Sequence, residues 1–296
     1  MTAGPTMLLA FDDESVLASR LGAALGVEPR TIERHRFPDG ETRLTLPPTL
    51  PARVVVLRGL QQPNDKLTEL LLAALGAREL GARHLTLVAP YLAYMRQDVA
   101  FRPGEVVSQR HLGALLASAF DAVVTVDPHL HRVATMDEVV PGRRAVALSA
   151  APLLGDWVAS QLAQPVLIGP DEEAAQWVQA AARAQGLASG VGRKLRRGDR
   201  DVVVEWPPID VAGRAVVLLD DVASTGGTLA VAAREAYARG AASVDVAVTH
   251  ALFVGDALAS LRAAGVRHVW STDAVPHASN VVSVAPLIAT ALASAA

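Results

Sequence analysis

The sequence predicts an α/β protein of two tandem domains, each a mainly parallel sheet flanked by helices. Three observations carry this. Seven short apolar runs of strand length alternate with helical segments, the rhythm of parallel strands covered by helices on both faces. One strand–helix–strand unit occurs twice, at offsets of 161 residues for its first strand and 159 for its second, as a duplicated domain with a small indel gives. The 296 residues also suffice for two domains of about 150 residues, each able to bury a core.

In chain order the strand-like runs are 7–11, 54–57, 85–89, 123–126, 166–169, 216–219 and 244–248. The repeat pairs Arg53 to Leu57, a helix ending near Leu80 and a strand from His84 with Arg214 to Leu218, a helix ending near Arg239 and a strand from Ser243. A boundary near Arg143 to Pro152 divides the chain into residues 1–146 and 147–296. After their first repeated strand the copies diverge: the second carries DDVASTGG, the first GLQQPND at Gly59 to Asp65, without a carboxylate pair or glycine turn.

Composition narrows the function. Half of the chain is apolar and 4% is aromatic, and the longest apolar stretches are interrupted well before the roughly 20 residues of a membrane span. The start lacks the basic and apolar regions of a secretory signal. Without cysteine there are no disulfides or thiolate metal sites, which suits a reducing cytoplasm. A net charge of −3 argues against a broad nucleic-acid surface. Basic residues gather instead in Arg193 to Arg197, a local charge suited to a small polyanion.

Residues Val216 to Thr228, VVLLDDVASTGGT, hold the most specific chemistry. A buried strand delivers Asp220 and Asp221 to the edge of a sheet, and a turn of small residues opens a helix. Glycines at 226 and 227 let the backbone approach a phosphate, and the amides of Thr225, Gly226, Gly227 and Thr228 supply donors and partial positive charge. Two adjacent carboxylates would repel that phosphate, so they accept hydrogen bonds from hydroxyls a few ångströms away or hold a divalent cation. Ribose 5-phosphate offers both features. The purely structural account has the acids end a strand and Ser224 cap a helix.

This stretch resembles the phosphoribosyl pyrophosphate (PRPP) loop of type I phosphoribosyltransferases and of ribose-phosphate diphosphokinases, the PRPP synthetases. Phe37 to Glu41 (FPDGE), Pro90 to Asp98 (PYLAYMRQD), Phe101 to Glu105 (FRPGE) and Thr125 to His129 (TVDPH) resemble motifs of the second family, in its order. The resemblance spans nearly the whole chain. It implies two type I phosphoribosyltransferase-like domains, ATP and ribose 5-phosphate as substrates, Mg2+ as cofactor, and a cytoplasmic homo-oligomer built from dimers.

The resemblance also implies roles. Asp220 and Asp221 grip the ribose hydroxyls while Ser224, Thr225, Gly226, Gly227 and Thr228 hold the 5-phosphate. Lys194 and Arg196 match two basic residues of a mobile catalytic loop, and Gly190, Gly192 and Gly198 suit such a loop. Arg96 and Gln97 match an ATP-contacting pair. Phe37, Asp39 and Glu41 match a loop that reaches the adenine of a neighbouring subunit. His129 matches a histidine beside metal and ATP phosphates, and Asp171 the acid that opens the pyrophosphate loop. That loop departs from the pattern: Glu172, Glu173 and Ala174 stand where small, glycine-rich residues are usual. Acidic residues at a helix start are favourable for structural reasons, and this is how we read them.

The reading is a ribose-phosphate diphosphokinase. A PRPP-consuming phosphoribosyltransferase leaves the first half, the RQD segment and FPDGE without a task. A non-catalytic regulatory paralogue is expected to lose the loop charges or the carboxylate pair, and this chain has both.

Overall fold

The computed structural model describes residues 6–130, 132–196 and 202–294, with the backbone alone for 194–196 and 202–204. The chain forms two compact units, 1–148 together with 283–296, and 149–282.

The first unit runs β1 (Thr6–Phe11), α1 (Ser15–Leu25), β2 (Arg30–Arg36), β3 (Thr42–Thr45), β4 (Arg53–Leu57), α2 (Pro63–Glu79), β5 (His84–Ala89), α3 (Ser108–Ala119), β6 (Ala122–Val126), α4 (Met136–Val139) and β7 (Arg144–Leu148). Its sheet has the order β3-β2-β1-β4-β5-β6-β7, parallel except between β2 and β3. Alternate strand residues such as Leu9, Val54, Val56, Leu85 and Leu87 pack against Leu70 and Ala73 of α2 and Leu112 and Leu116 of α3.

The second unit runs α5 (Ala151–Gln161), β8 (Val166–Gly169), α6 (Ala175–Gln185), β9 (Ala188–Val191), β10 (Arg193–Arg196), β11 (Val202–Glu205), β12 (Ala215–Ala223), α7 (Gly227–Ala238), β13 (Ser243–Ala251), α8 (Ala257–Ala263), β14 (Val266–Thr272) and β15 (Asn280–Val282). Val216, Leu218, Val244 and Val246 face α7 and α8. Val217, Leu219 and Ala247 face α5 and α6. Period-two alternation within all-apolar strands thus serves a helix layer on each side.

The second sheet has the order β9-β8-β12-β13-β14-β15, parallel throughout. This is the order β2-β1-β4-β5-β6-β7 of the first, strand for strand, and it carries the sequence repeat into three dimensions. The antiparallel pair β10–β11 occupies the place in the chain that β3 holds in the first copy.

Two details differ from the sequence reading. The last helix, α9 (Ala285–Ser294), packs on α1 and belongs to the first unit, whereas the division 1–146 and 147–296 gives it to the second and cuts β7. Its buried Ile288 and Ala289 complete a core that starts at the other end of the chain. Strand β12 also continues through both aspartates to Ala223, because β13 runs far enough to pair Val222 with His250 and Ala223 with Ala251.

Candidate functional site

In the second unit β8 and β12 are parallel neighbours. The helix after β8 leads to β9 on one side of the sheet, and the helix after β12 leads to β13 on the other. Their C-terminal ends therefore flank a topological switch point, the usual ligand crevice of an open α/β sheet.

Three acids gather there. Asp171 follows β8 and accepts a hydrogen bond from the amide of Glu173 (3.2 Å), capping the short turn that leads into α6. Asp221 is buried, and its amide donates to Oδ1 of Asp220 at 2.9 Å. Burial first, then the charges of Asp221 and Asp171, push the carboxyl of Asp220 well above the usual carboxylate range. The cause is like charge in a place poor in solvent.

The loop beyond β12 makes the complementary half. Ser224 is tied by its carbonyl to the amide of Val254 (3.1 Å), which fixes the back of the turn. Gly226 is left-handed at φ 72°, a conformation that favours glycine. It turns the chain into α7, whose first-turn amides have no intrahelical acceptor. A Cβ on Gly227 would meet only the Thr225 hydroxyl, at 3.9 Å, so this backbone is open to close approach. Carboxylates on the strand and the amides of the helix start suit a ligand with hydroxyls at one end and an anion at the other.

Glu172 and Glu173 are exposed, and Glu172 lies 3.6 Å from Arg193, the first residue of β10. Lys194 and Arg196 fall on β10, and their side chains lie outside the described residues.

In the first unit the other candidate residues line the C-terminal edge of the sheet. Arg96 and Gln97 sit in the segment after β5, with Arg96 exposed and Gln97 half-buried. His129, half-buried, follows β6 just beyond the buried Asp127, whose φ of 37° is sparsely populated outside glycine. Phe37, Asp39 and Glu41 form the tip between β2 and β3. There the Phe37 amide donates to the Glu41 carbonyl (2.8 Å) and the Glu41 amide to Asp39 Oδ1 (3.1 Å).

Sequence reasoning missed two supporting residues. Gln109 is buried, donates its side-chain amide to the Met95 carbonyl (3.3 Å) and its backbone amide to the Gln97 carbonyl (3.2 Å). Arg132 donates to the buried Asp98 at 2.7 Å. Gln109 had a readable signal, since it occupies the apolar stripe of α3 with Leu112 and Leu116. Arg132 had none.

The two metal candidates, His129 and Asp171, belong to different units. Among the described residues no group of three or more His, Cys, Asp or Glu side chains is arranged to hold a metal ion.

Comparison with known proteins agrees with this architecture. Residues 6–119 match the N-terminal domain of ribose phosphate pyrophosphokinase, and residues 145–274 the phosphoribosyl transferase domain. A ribose-phosphate pyrophosphokinase of Methanopyrus kandleri is 37% identical, covering 97% of this chain and 98% of its own. Another, of Halobacterium salinarum, is 36% identical over 97% and 100%. The crystal structure of phosphoribosylpyrophosphate synthetase from Mycobacterium smegmatis superimposes with a TM-score of 0.84 at 25% identity, covering 98% of each chain.

Proposed function

Because the chain belongs to the ribose-phosphate pyrophosphokinase family, we propose that it transfers the diphosphoryl group of ATP to the anomeric hydroxyl of ribose 5-phosphate, giving PRPP and AMP. The observation that carries this is the second unit's switch point, where Asp220 and Asp221 adjoin the glycine turn from Ser224 to Thr228.

Asp220 and Asp221 accept hydrogen bonds from the ribose hydroxyls, and the amides from Thr225 to Thr228 hold the 5-phosphate. The anomeric oxygen is left free and aimed, which lowers the entropic part of the barrier. It attacks the β-phosphorus, the bond from that phosphorus to the α-phosphate oxygen breaks, AMP departs and the hydroxyl proton passes to solvent. Lys194 and Arg196 bring positive charge to the transferred group as its charge builds up. Arg96, Gln97 and His129 bind ATP, and Phe37, Asp39 and Glu41 reach it from another subunit of a homo-oligomer built from dimers.

The acids fit Mg2+. Their crowding raises the proton affinity of Asp220, and a divalent cation relieves such crowding. Asp171 in the second unit and His129 in the first would each be a candidate ligand for an ion that substrate phosphates also hold, since Mg2+ commonly takes one or two carboxylates plus phosphate oxygens. When bound it neutralises the triphosphate.

No described helix is long and apolar enough to cross a membrane, and we place the reaction in the cytoplasm. Incubation with ATP, Mg2+ and ribose 5-phosphate tests the proposal: AMP and PRPP should appear in equal amounts. AMP formation absent, with PRPP consumed when a nucleobase is added, would instead identify a phosphoribosyltransferase.

A further inference from the structure

The two copies share a fold, so the N-terminal copy has its own switch point, at the ends of β1 and β4. In the second unit an acidic turn after β8 faces two more acids on β12. In the first an acidic turn after β1, Asp12 to Glu14, faces the arginine that follows β4, Arg58. The sign of the second element is reversed.

Arg58 is fully buried. Its guanidinium donates to Asp13 and to Glu69 of α2 and lies 4.1 Å from the centroid of the Phe11 ring. The first residue of the loop is occupied too. The amide of Gly59 donates to Glu14 at 2.9 Å, and its carbonyl accepts from Lys66 at 3.0 Å. A carboxylate thus takes the loop amide, and a guanidinium neutralises the acids where the twin copy carries Asp220 and Asp221 at its strand end. The site is filled by its own side chains.

The network extends to one further element. Beyond Ile32, which pairs with the last residue of β1, β2 runs on as a two-stranded hairpin with β3, from Glu33–Thr45 to Arg36–Thr42. An isolated two-stranded hairpin is marginal in water. This one is held by Arg34, which sits just past the end of β1. Its guanidinium donates to Asp12 and, at 3.2 Å, to Glu69 Oε2, and it lies 3.4 Å from Asp13. Glu69 therefore bridges Arg58 and Arg34. Arg36 adds an exposed pair with Asp65 at 3.1 Å, a contact of small weight.

We propose that Arg34, Glu69 and Arg58 are positioning residues: they turn the switch point of the N-terminal copy into an anchor for the hairpin whose tip presents Phe37, Asp39 and Glu41 to ATP. The proposal rests on the ATP reading of that tip. A carboxylate bridging two guanidinium forks is directional, so it fixes the angle of the hairpin as well as its attachment.

Arg34 is the residue to change, because its removal leaves Arg58 still paired with Asp13 and Glu69. In Arg34→Met the KM for ATP should rise about fivefold or more while that for ribose 5-phosphate stays within about twofold. Amide exchange at residues 36–42 should quicken about tenfold without a matching change elsewhere. Arg34→Lys should recover part of both. Faster global unfolding with an unchanged KM for ATP, or equal rises for both substrates, would overturn the positioning role. Phe37→Ala separates the layers. A raised KM for ATP there, with none in Arg34→Met, refutes the anchor alone; no effect in Phe37→Ala refutes the ATP reading beneath it.

Discussion

Burial, then the charge of Asp221, then that of Asp171 across the gap between the ends of β8 and β12, raise the proton affinity of Asp220. The two strands pair in parallel through Val216–Val166 and Leu218–Ile168, so the sheet itself forces the acids together. Such crowding is costly unless a ligand or cation relieves it.

The first prediction follows from that cost. Asp220→Asn and Asp221→Asn should each raise the KM for ribose 5-phosphate by about tenfold or more, as lost charge-assisted hydrogen bonds imply. ATP affinity should change less. Calorimetric binding of ribose 5-phosphate that is unaltered in both variants would make the carboxylates structural.

Lys194 and Arg196 are predicted to act on rate. Each alanine variant should lower kcat by about tenfold or more with the affinity for ribose 5-phosphate nearly unchanged, because a charge that meets only the transition state contributes nothing to ground-state binding. An unchanged kcat with a raised KM for either variant would remove the assigned role.

The third prediction concerns assembly. A Phe37→Ala/Asp39→Ala protein and an Asp220→Asn/Asp221→Asn protein, each inactive, should regain activity when mixed and allowed to exchange subunits. Hybrid sites then receive an intact tip from one chain and an intact sugar clamp from another, as a twofold arrangement permits. Full activity from a verified monomer would show the site to be built within one chain.

Asp121 gives the fourth. Burial favours its neutral form, but the amide of Leu85 and the guanidinium of Arg78, both at 2.7 Å, outweigh this and hold its carboxyl below the usual Asp value of 3.8. A depressed carboxylate stabilises the folded state above its unfolded pKa and ceases to do so as pH falls through the folded one. Asp121→Asn should therefore lower Tm at pH 7, and the difference from the parent should shrink once the pH drops below 3.8. A difference independent of pH would show that the charge plays no part.

The seven parallel strands at the centre of the sheets and the duplication were legible because fully buried strands must be apolar along their whole length, and a repeated strand order leaves a repeated spacing. The strands β2, β3, β7, β9, β10, β11, β14 and β15 were not. All but β14 are edge or hairpin pieces, such as RTIERHR and TRLT, and in β14 the exposed Arg267 and His268 break the apolar run. At the site, Asp220, Asp221 and the glycines announced themselves by type and spacing. Arg58 and Glu69 did not, since an ion pair joining the end of β4 to α2 depends on a packing that no local pattern encodes. The C-terminal segment escaped for the same reason: nothing in APLIATALAS tells which core its apolar face will join.

That segment bears on how the protein comes into being. A ribosome makes α1 well before its packing partner α9, with the entire second unit in between. The first unit thus stays one helix short until α9 is made, although the rest of its residues emerged long before. The second unit, continuous in the chain, can finish first. Translation order and folding order are inverted, and the earlier-made unit waits with the flank of α1 uncovered until α9 clears the exit tunnel.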